Sequence, residues 1–327
     1  MLPVRAPTHK RSAFAKAAAQ ACAACLAIAF PFQQAAAQSA APAPLSPADE
    51  LVQIQRDTHN RMTVPVKIGA SGPYEFLIDT GSERTVLSRQ VANALGMPIA
   101  GNGMVVGVAG SQAVQLVDVD EISLGKRTYY TLSAPLLDAD HIGADGIVGL
   151  DSLQDQRVLI DFHANRMTIG DAASLGGTRG FEIVVKAKRR SGQLIMTNAI
   201  VDGVATDIVL DTGSDSSIGN PALRNALTRR RKAEQTVLFS VTGQSVNAEL
   251  IMASTIDIAG LQLNNTWLAF ADSPAFHRLG LVKRPAMLLG MAQLRMFRRV
   301  AIDFATRRVL FDLPVGVAGL DPHRTVF

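Results

Sequence analysis

The chain has 327 residues, 48% of them hydrophobic and 18% charged, which excludes a disordered or fibrous chain and suits two modest lobes, each with its own core. Lys and Arg number 32 against 28 Asp and Glu, but Arg5, Lys10, Arg11 and Lys16 lie in the first 38 residues, where there is no acid; the rest is balanced, so a strongly basic nucleic-acid binder is excluded. Both cysteines, Cys22 and Cys25, lie in the same stretch, and the remainder has no disulfide, thiol nucleophile or Cys-ligated metal.

Residues 1–38 read as a secretory signal peptide: a positive start, an apolar run from Ala17 to about Phe32, and the small-residue end Ala35-Ala36-Ala37-Gln38. The run is shorter than the roughly 20 apolar residues of a membrane span, so the expectation is export to the periplasm or medium with no stable membrane anchor after leader removal. Residues 39–49, rich in Ala, Pro and Ser, read as a flexible linker. From residue 50 onward the chain is all-β in character. Short apolar runs at 62–68, 74–78, 104–108, 157–161, 181–187, 207–210, 299–304 and 308–311 are separated by Gly, Pro, Asn and Asp. Two helices are expected. One covers 88–95 and is stopped by Gly96 and Pro98; the other covers about 221–232, with Pro221 at its start and Arg229 to Lys232 favouring the dipole at its end.

The chain repeats itself. Leu77-Ile78-Asp79-Thr80-Gly81-Ser82 recurs as Val209-Leu210-Asp211-Thr212-Gly213-Ser214, displaced by 132. Ile147-Val148-Gly149 recurs as Leu288-Leu289-Gly290, displaced by 141, and Ile160-Asp161-Phe162 as Ile302-Asp303-Phe304, displaced by 142. The offset grows where 273–285 outruns its partner near 139–144. The reading is an N-terminal lobe over 50–170, a Gly-rich joint over 171–180, a C-terminal lobe over 181–315 and a tail over 316–327. Two like units in one chain suggest a pseudo-twofold arrangement. The Ile-Asp-Phe repeats are expected to close each lobe with a hairpin, and Trp267, Tyr129 and Tyr130 to pack inside.

Asp79 and Asp211 each end an apolar run and are followed by Thr, Gly and Ser. A carboxylate at the end of a buried strand must be held by hydrogen bonds. Gly permits close approach, and Thr and Ser carry hydroxyls that can do the holding. Asp-Thr-Gly paired with a later apolar-apolar-Gly, twice in register over most of 50–315, resembles the retropepsin-like and pepsin-like aspartic proteases. The compact lobes look like two retropepsin units fused in one chain.

The resemblance implies two pseudo-twofold β-barrel lobes, peptide or protein as substrate, no cofactor and no metal. It makes Asp79 and Asp211 a catalytic pair sharing one proton and activating a water, with a bell-shaped, acidic pH profile expected. Thr80 and Thr212 would tie the lobes together; Gly81 and Gly213 complete the motifs. Ser82 and Ser214 would support the outer carboxylate oxygens. Flaps are expected around Gly107–Gly110 and Ser240–Gly243, which lack the flap tyrosine of pepsin. Asp145-Gly146 facing Ala286-Met287 suggests unequal flaps or one weakened lobe.

Other chemistries fit less well. His59, His141, His163 and His277 lack metal-ligand spacing and read as surface residues. Gly69-Ala70-Ser71-Gly72 is no nucleophile elbow, and Gly101-Asn102-Gly103 lacks the third glycine of a dinucleotide fingerprint. The alternatives carried are a catalytically silent periplasmic binding or scaffold protein of the same fold, and a homodimer in place of a two-lobed monomer.

Overall fold

The computed structural model describes residues 50–53, 55–56, 61–227, 232–313 and 325–326. The leader, the 39–49 linker, His59, Arg229–Arg231 and nearly all of the tail lie outside the described residues. None of the described helices is long and apolar enough to cross a membrane.

Two closed six-strand barrels carry the molecule. In the first, Met62–Ile68 pairs with Ser71–Ile78, which pairs with Gly146–Val148; Val86–Ser88, Arg127–Leu137 and Ser111–Leu124 follow, and the last returns to Met62–Ile68 through Val66 opposite Leu124. In the second the ring is Gln193–Val201, Val204–Leu210, Ala286–Leu289, Ile218–Gly219, Leu261–Phe270 and Ser245–Ile258, closed by Ala199 opposite Ile258. Closure removes the sheet edges and lets alternate side chains fill the interior. Val64, Phe76 and Val117 are fully buried in one barrel, and Val201, Ile208 and Leu268 in the other.

The Ile-Asp-Phe hairpins do not close their own lobes. They join in one six-stranded sheet beneath both, ordered Glu50–Gln53, Arg166–Gly170, Arg157–Asp161, Arg299–Asp303, Arg308–Asp312, Ile183–Lys186. At its centre Arg157 lies opposite Asp303 and Asp161 opposite Arg299, so the pseudo-twofold runs through this antiparallel pairing. Pairing two half-buried hairpins buries apolar faces that would otherwise stay wet. The join contains an ion pair at the heart of the sheet. Arg157 Nη2 lies 2.7 Å from Asp303 Oδ2, with side chains 2% and 0% exposed. Burial would raise the Asp303 pKa, but hydrogen bonds from Thr306 and Arg157 outweigh it and hold the carboxyl below its ordinary range.

The first expected helix is Arg89–Ala94, capped by Ser88, whose hydroxyl accepts the Val91 N–H at 3.2 Å. The second stops at Ala226, well short of 232. Asn220 caps its start, and Leu227 turns extended at ψ 102° and ends it. Trp267 is 42% exposed, because it faces outward on its barrel strand opposite Met252. Tyr129 is half-buried and accepts from Gln156 Nε2 at 3.3 Å, whereas its neighbour Tyr130, on the other face of the strand, is exposed. His141, His163 and His277 are exposed.

Candidate active site

Each Asp motif is set by the same local construction. Ser71–Ile78 runs parallel to Gly146–Val148, and the Asp79 N–H continues the ladder to the Val148 carbonyl at 3.1 Å. Val204–Leu210 runs parallel to Ala286–Leu289, and the Asp211 N–H reaches Leu289 at 3.0 Å. The apolar-apolar-Gly strands therefore pass beside the Asp strands. Their glycines are needed for space, because a Cβ on Gly149 would strike the Arg84 backbone and one on Gly290 the Ser216 carbonyl. Asp145-Gly146 and Ala286-Met287 occupy equivalent places in the two barrels. Gly146 faces the Phe76 ring, and the equivalent Met287 faces the smaller Ile208, so the two barrels exchange volume across the same pairing.

Thr80 and Thr212 tie the lobes together. Thr80 Oγ1 donates to the Leu210 carbonyl at 3.0 Å and Thr212 Oγ1 to the Ile78 carbonyl at 2.7 Å. The Thr80 N–H donates to Thr212 Oγ1 at 3.0 Å, and the Thr212 N–H to Thr80 Oγ1 at 3.3 Å. This ring brings the two carboxylates together above it. A Cβ on Gly81 would sit 2.9 Å from Asp211 Oδ1, and one on Gly213 would overlap the Asp79 carboxylate.

Asp79 Oδ1 accepts the N–H groups of Gly81 at 2.7 Å and Ser82 at 3.1 Å; Asp211 Oδ1 accepts the Gly213 N–H at 3.1 Å. The serine hydroxyls are not the supports expected. Ser82 Oγ donates to the Arg84 carbonyl and Ser214 Oγ to the Ser216 carbonyl, each at 2.8 Å, because both side chains turn back to close their own loops. The backbone N–H of the turn holds the carboxylate instead.

Burial raises both carboxyl pKa values, and neighbours then separate them. Asp79 is raised by burial, but the Gly81 and Ser82 amides and the buried Arg61 cation pull it back. Asp211 is raised by burial and by the Asp79 charge, up to about 8. Both carboxyls are therefore pushed toward the protonated form, and the charge of Asp79 acts directly on Asp211.

The pair lies in a cleft of about 630 Å³ lined by Val86, Leu137 and Ile147 on one side and Val209, Leu279 and Leu288 on the other. Two hairpins roof it: Ile99–Val106 with Ser111–Leu124, and Glu234–Phe239 with Ser245–Ile258. Gly107 and Gly110 close the first turn, the Gly107 N–H donating to Gly110 at 2.8 Å; Ser240 and Gly243 close the second, the Gly243 N–H donating to Ser240 at 2.9 Å. The tips meet and cross. Val108 packs with Leu238 and Ala275 against the apolar cluster of the second lobe, and Val241 against that of the first.

Sequence reasoning missed four polar side chains here: Arg61, Gln193, and the ion-paired Glu83 and Arg278. Arg278 Nη2 lies 2.9 Å from Glu83 Oε2 across the lobe boundary. Arg278 ends the helix Pro274–Arg278, in the stretch where the second repeat is longer, so the growing offset was the available signal.

The aspartyl protease family model matches residues 64–152 and 197–292. No curated protein matches the chain. The two matched stretches span more than half the chain, and each carries one barrel's Asp-Thr-Gly and its parallel partner strand. The chain belongs to the aspartyl protease family, in its retropepsin-like, two-lobed form.

Proposed function

We propose that the protein is an aspartic endopeptidase that hydrolyses peptide bonds with Asp79 as base and Asp211 as acid. The observation that carries this reading is two carboxylates, Asp211 buried and Asp79 half-buried, brought together from two lobes at the floor of an apolar cleft. Ionised Asp79 takes a proton from a water as its oxygen attacks the scissile carbonyl carbon. Protonated Asp211 donates to the carbonyl oxygen, giving a tetrahedral diol. On collapse one diol O–H returns its proton to Asp211 as the carbonyl re-forms, the C–N bond breaks, and the proton taken by Asp79 passes to the leaving amine. Arg61 favours the charged form of Asp79, and the Asp79 charge favours the protonated form of Asp211, so the two roles reinforce each other.

One chain supplies both halves of the site, which favours a two-lobed monomer. The balanced charge beyond the leader fits peptide substrates rather than nucleic acid, and the leader itself points to a periplasmic or secreted protein. The test is cleavage of a diverse peptide mixture between about pH 4 and 8 by the wild type, Asp79→Asn and Asp211→Asn, each verified as folded. Loss of cleavage in either single variant supports one shared pair. A silent wild type, or variants that cut equally well, would overturn the reading in favour of a binding or scaffold protein.

A further inference from the structure

Positions 61 and 193 are related by the same displacement of 132 that relates Asp79 to Asp211. Arg61 immediately precedes Met62–Ile68, and Gln193 opens Gln193–Val201, so both stand where their barrel begins. Both are polar yet buried, at 8% and 7% exposure. Their chemistry differs. Arg61 donates to the Ile142 carbonyl and its charge acts on Asp79. Gln193 crosses the lobe boundary, and its Nε2 donates to the Gly81 carbonyl, two residues beyond Asp79.

That donation fixes the orientation of the amide. Only the NH2 end can serve a carbonyl, so Oε1 is the other end. Gln193 Oε1 is buried and meets no donor among the described residues. A buried acceptor without a donor is rare because desolvation is then uncompensated. Gln193 lines the cleft together with Gly81, Asp79 and Asp211.

We propose that Gln193 is a substrate-positioning residue whose Oε1 accepts a main-chain N–H of a peptide bound in the cleft. The ligand must bring an N–H donor to an acceptor beside the dyad, and an extended peptide presents such donors at every second main-chain group. Gln193 then forms a relay from the peptide N–H through its own amide to the Gly81 carbonyl, so the bound chain is registered against the backbone that holds Asp79. The equivalent Arg61 carries donors only, so this acceptor exists in one half of the pseudo-twofold cleft alone.

The proposal rests on the peptidase reading for its ligand class, and the test separates the two. One cleaved peptide is prepared with each main-chain amide N-methylated in turn, and kcat and KM are measured for the wild type, Gln193→Met and Gln193→Glu. One methylation should raise the wild-type KM about tenfold with a smaller effect on kcat, the size of one hydrogen bond to a buried acceptor. Gln193→Met should show that raised KM on the parent peptide and be indifferent to the same methylation. Gln193→Glu keeps an acceptor and should retain the sensitivity; it carries the test if Gln193→Met does not fold. An unchanged KM in a folded Gln193→Met, or an equal loss on every peptide of the series, overturns the assignment. A wild type that cleaves no peptide sinks the peptidase reading instead. Calorimetric binding of the same series then decides on Gln193, and the absence of any methylation-sensitive difference overturns it.

Discussion

Thr80 and Thr212 hold each other's motif across the lobe boundary: each hydroxyl accepts the other threonine's N–H and donates to the carbonyl before the other aspartate. Both are buried, at 2% and 1% exposure, so no solvent can replace a lost bond. Replacing either by Val keeps the shape and leaves two backbone groups unpaired. We expect a cost of about 1–3 kcal/mol for each single variant. The double variant should cost less than the sum, because the same ring is broken once. Denaturant unfolding of the three variants measures this, and additive losses would show that the hydroxyls act independently.

The raised Asp211 pKa makes a signed prediction. Its folded value of about 8 lies above the ordinary 3.8. The stability it contributes is therefore fully present below about 3.8 and is lost as pH rises toward 8, where the unfolded carboxyl is already ionised. Thermal unfolding of the wild type should fall between these limits. Asp211→Asn should be flatter and more stable than wild type near pH 8, by at least about 3 °C in Tm for a chain of this size. The wild-type cleavage rate should decline as pH rises through about 8, where the pair loses its shared proton. A wild-type Tm that rises from pH 4 to 8 would contradict the assignment.

The repeat made the architecture legible before any coordinates. Asp79 and Asp211 sit where two copies of one pattern place them, and the threonines and glycines follow with them. Three features were not legible, each for a physical reason. The six-stranded joining sheet depends on Arg157 facing Asp303 across the lobes, a pairing between distant segments that neither hairpin encodes alone. The serine hydroxyls turn away from the carboxylates because nearby carbonyls of their own loops are closer. Arg61 and Gln193 stand in register with the repeat, but their side chains differ, and a search for likeness passes over positions where the copies diverge.

The Arg157 and Asp303 pair should behave as a buried ion pair whose rupture is costly. Arg157→Met removes the partner and leaves a carboxylate at 0% exposure inside the joining sheet. We expect a loss of about 3–5 kcal/mol at pH 7. The depressed Asp303 pKa gives the sign: the wild-type advantage is present above the ordinary carboxyl range and lost as pH falls through the folded value, so the two proteins should converge in acid. A difference in unfolding free energy that persists undiminished to pH 2 would mean that Arg157 acts through packing alone.

The crossing of the hairpin tips sets the last expectation. A Cβ placed on Gly107 would lie 3.4 Å from Ser240 Cβ, close to the span of a disulfide. Residues 39–327 carry no cysteine, so in protein prepared from residue 39 onward Gly107→Cys with Ser240→Cys can pair only with each other within one molecule. Val108 and Val241 pack into the opposite lobes, against the clusters whose members line the cleft, so peptide side chains can enter only when the tips part. The oxidised double variant should bind and cleave no long peptide, and reduction should restore at least about a tenth of wild-type kcat/KM, the roof having lost only one glycine and one hydroxyl. The single variants, oxidised or reduced, serve as controls for the substitutions themselves. Full activity of the oxidised, crosslinked protein would show that substrate enters beneath a closed roof, and that the two hairpins are a fixed wall of the cleft rather than its gate.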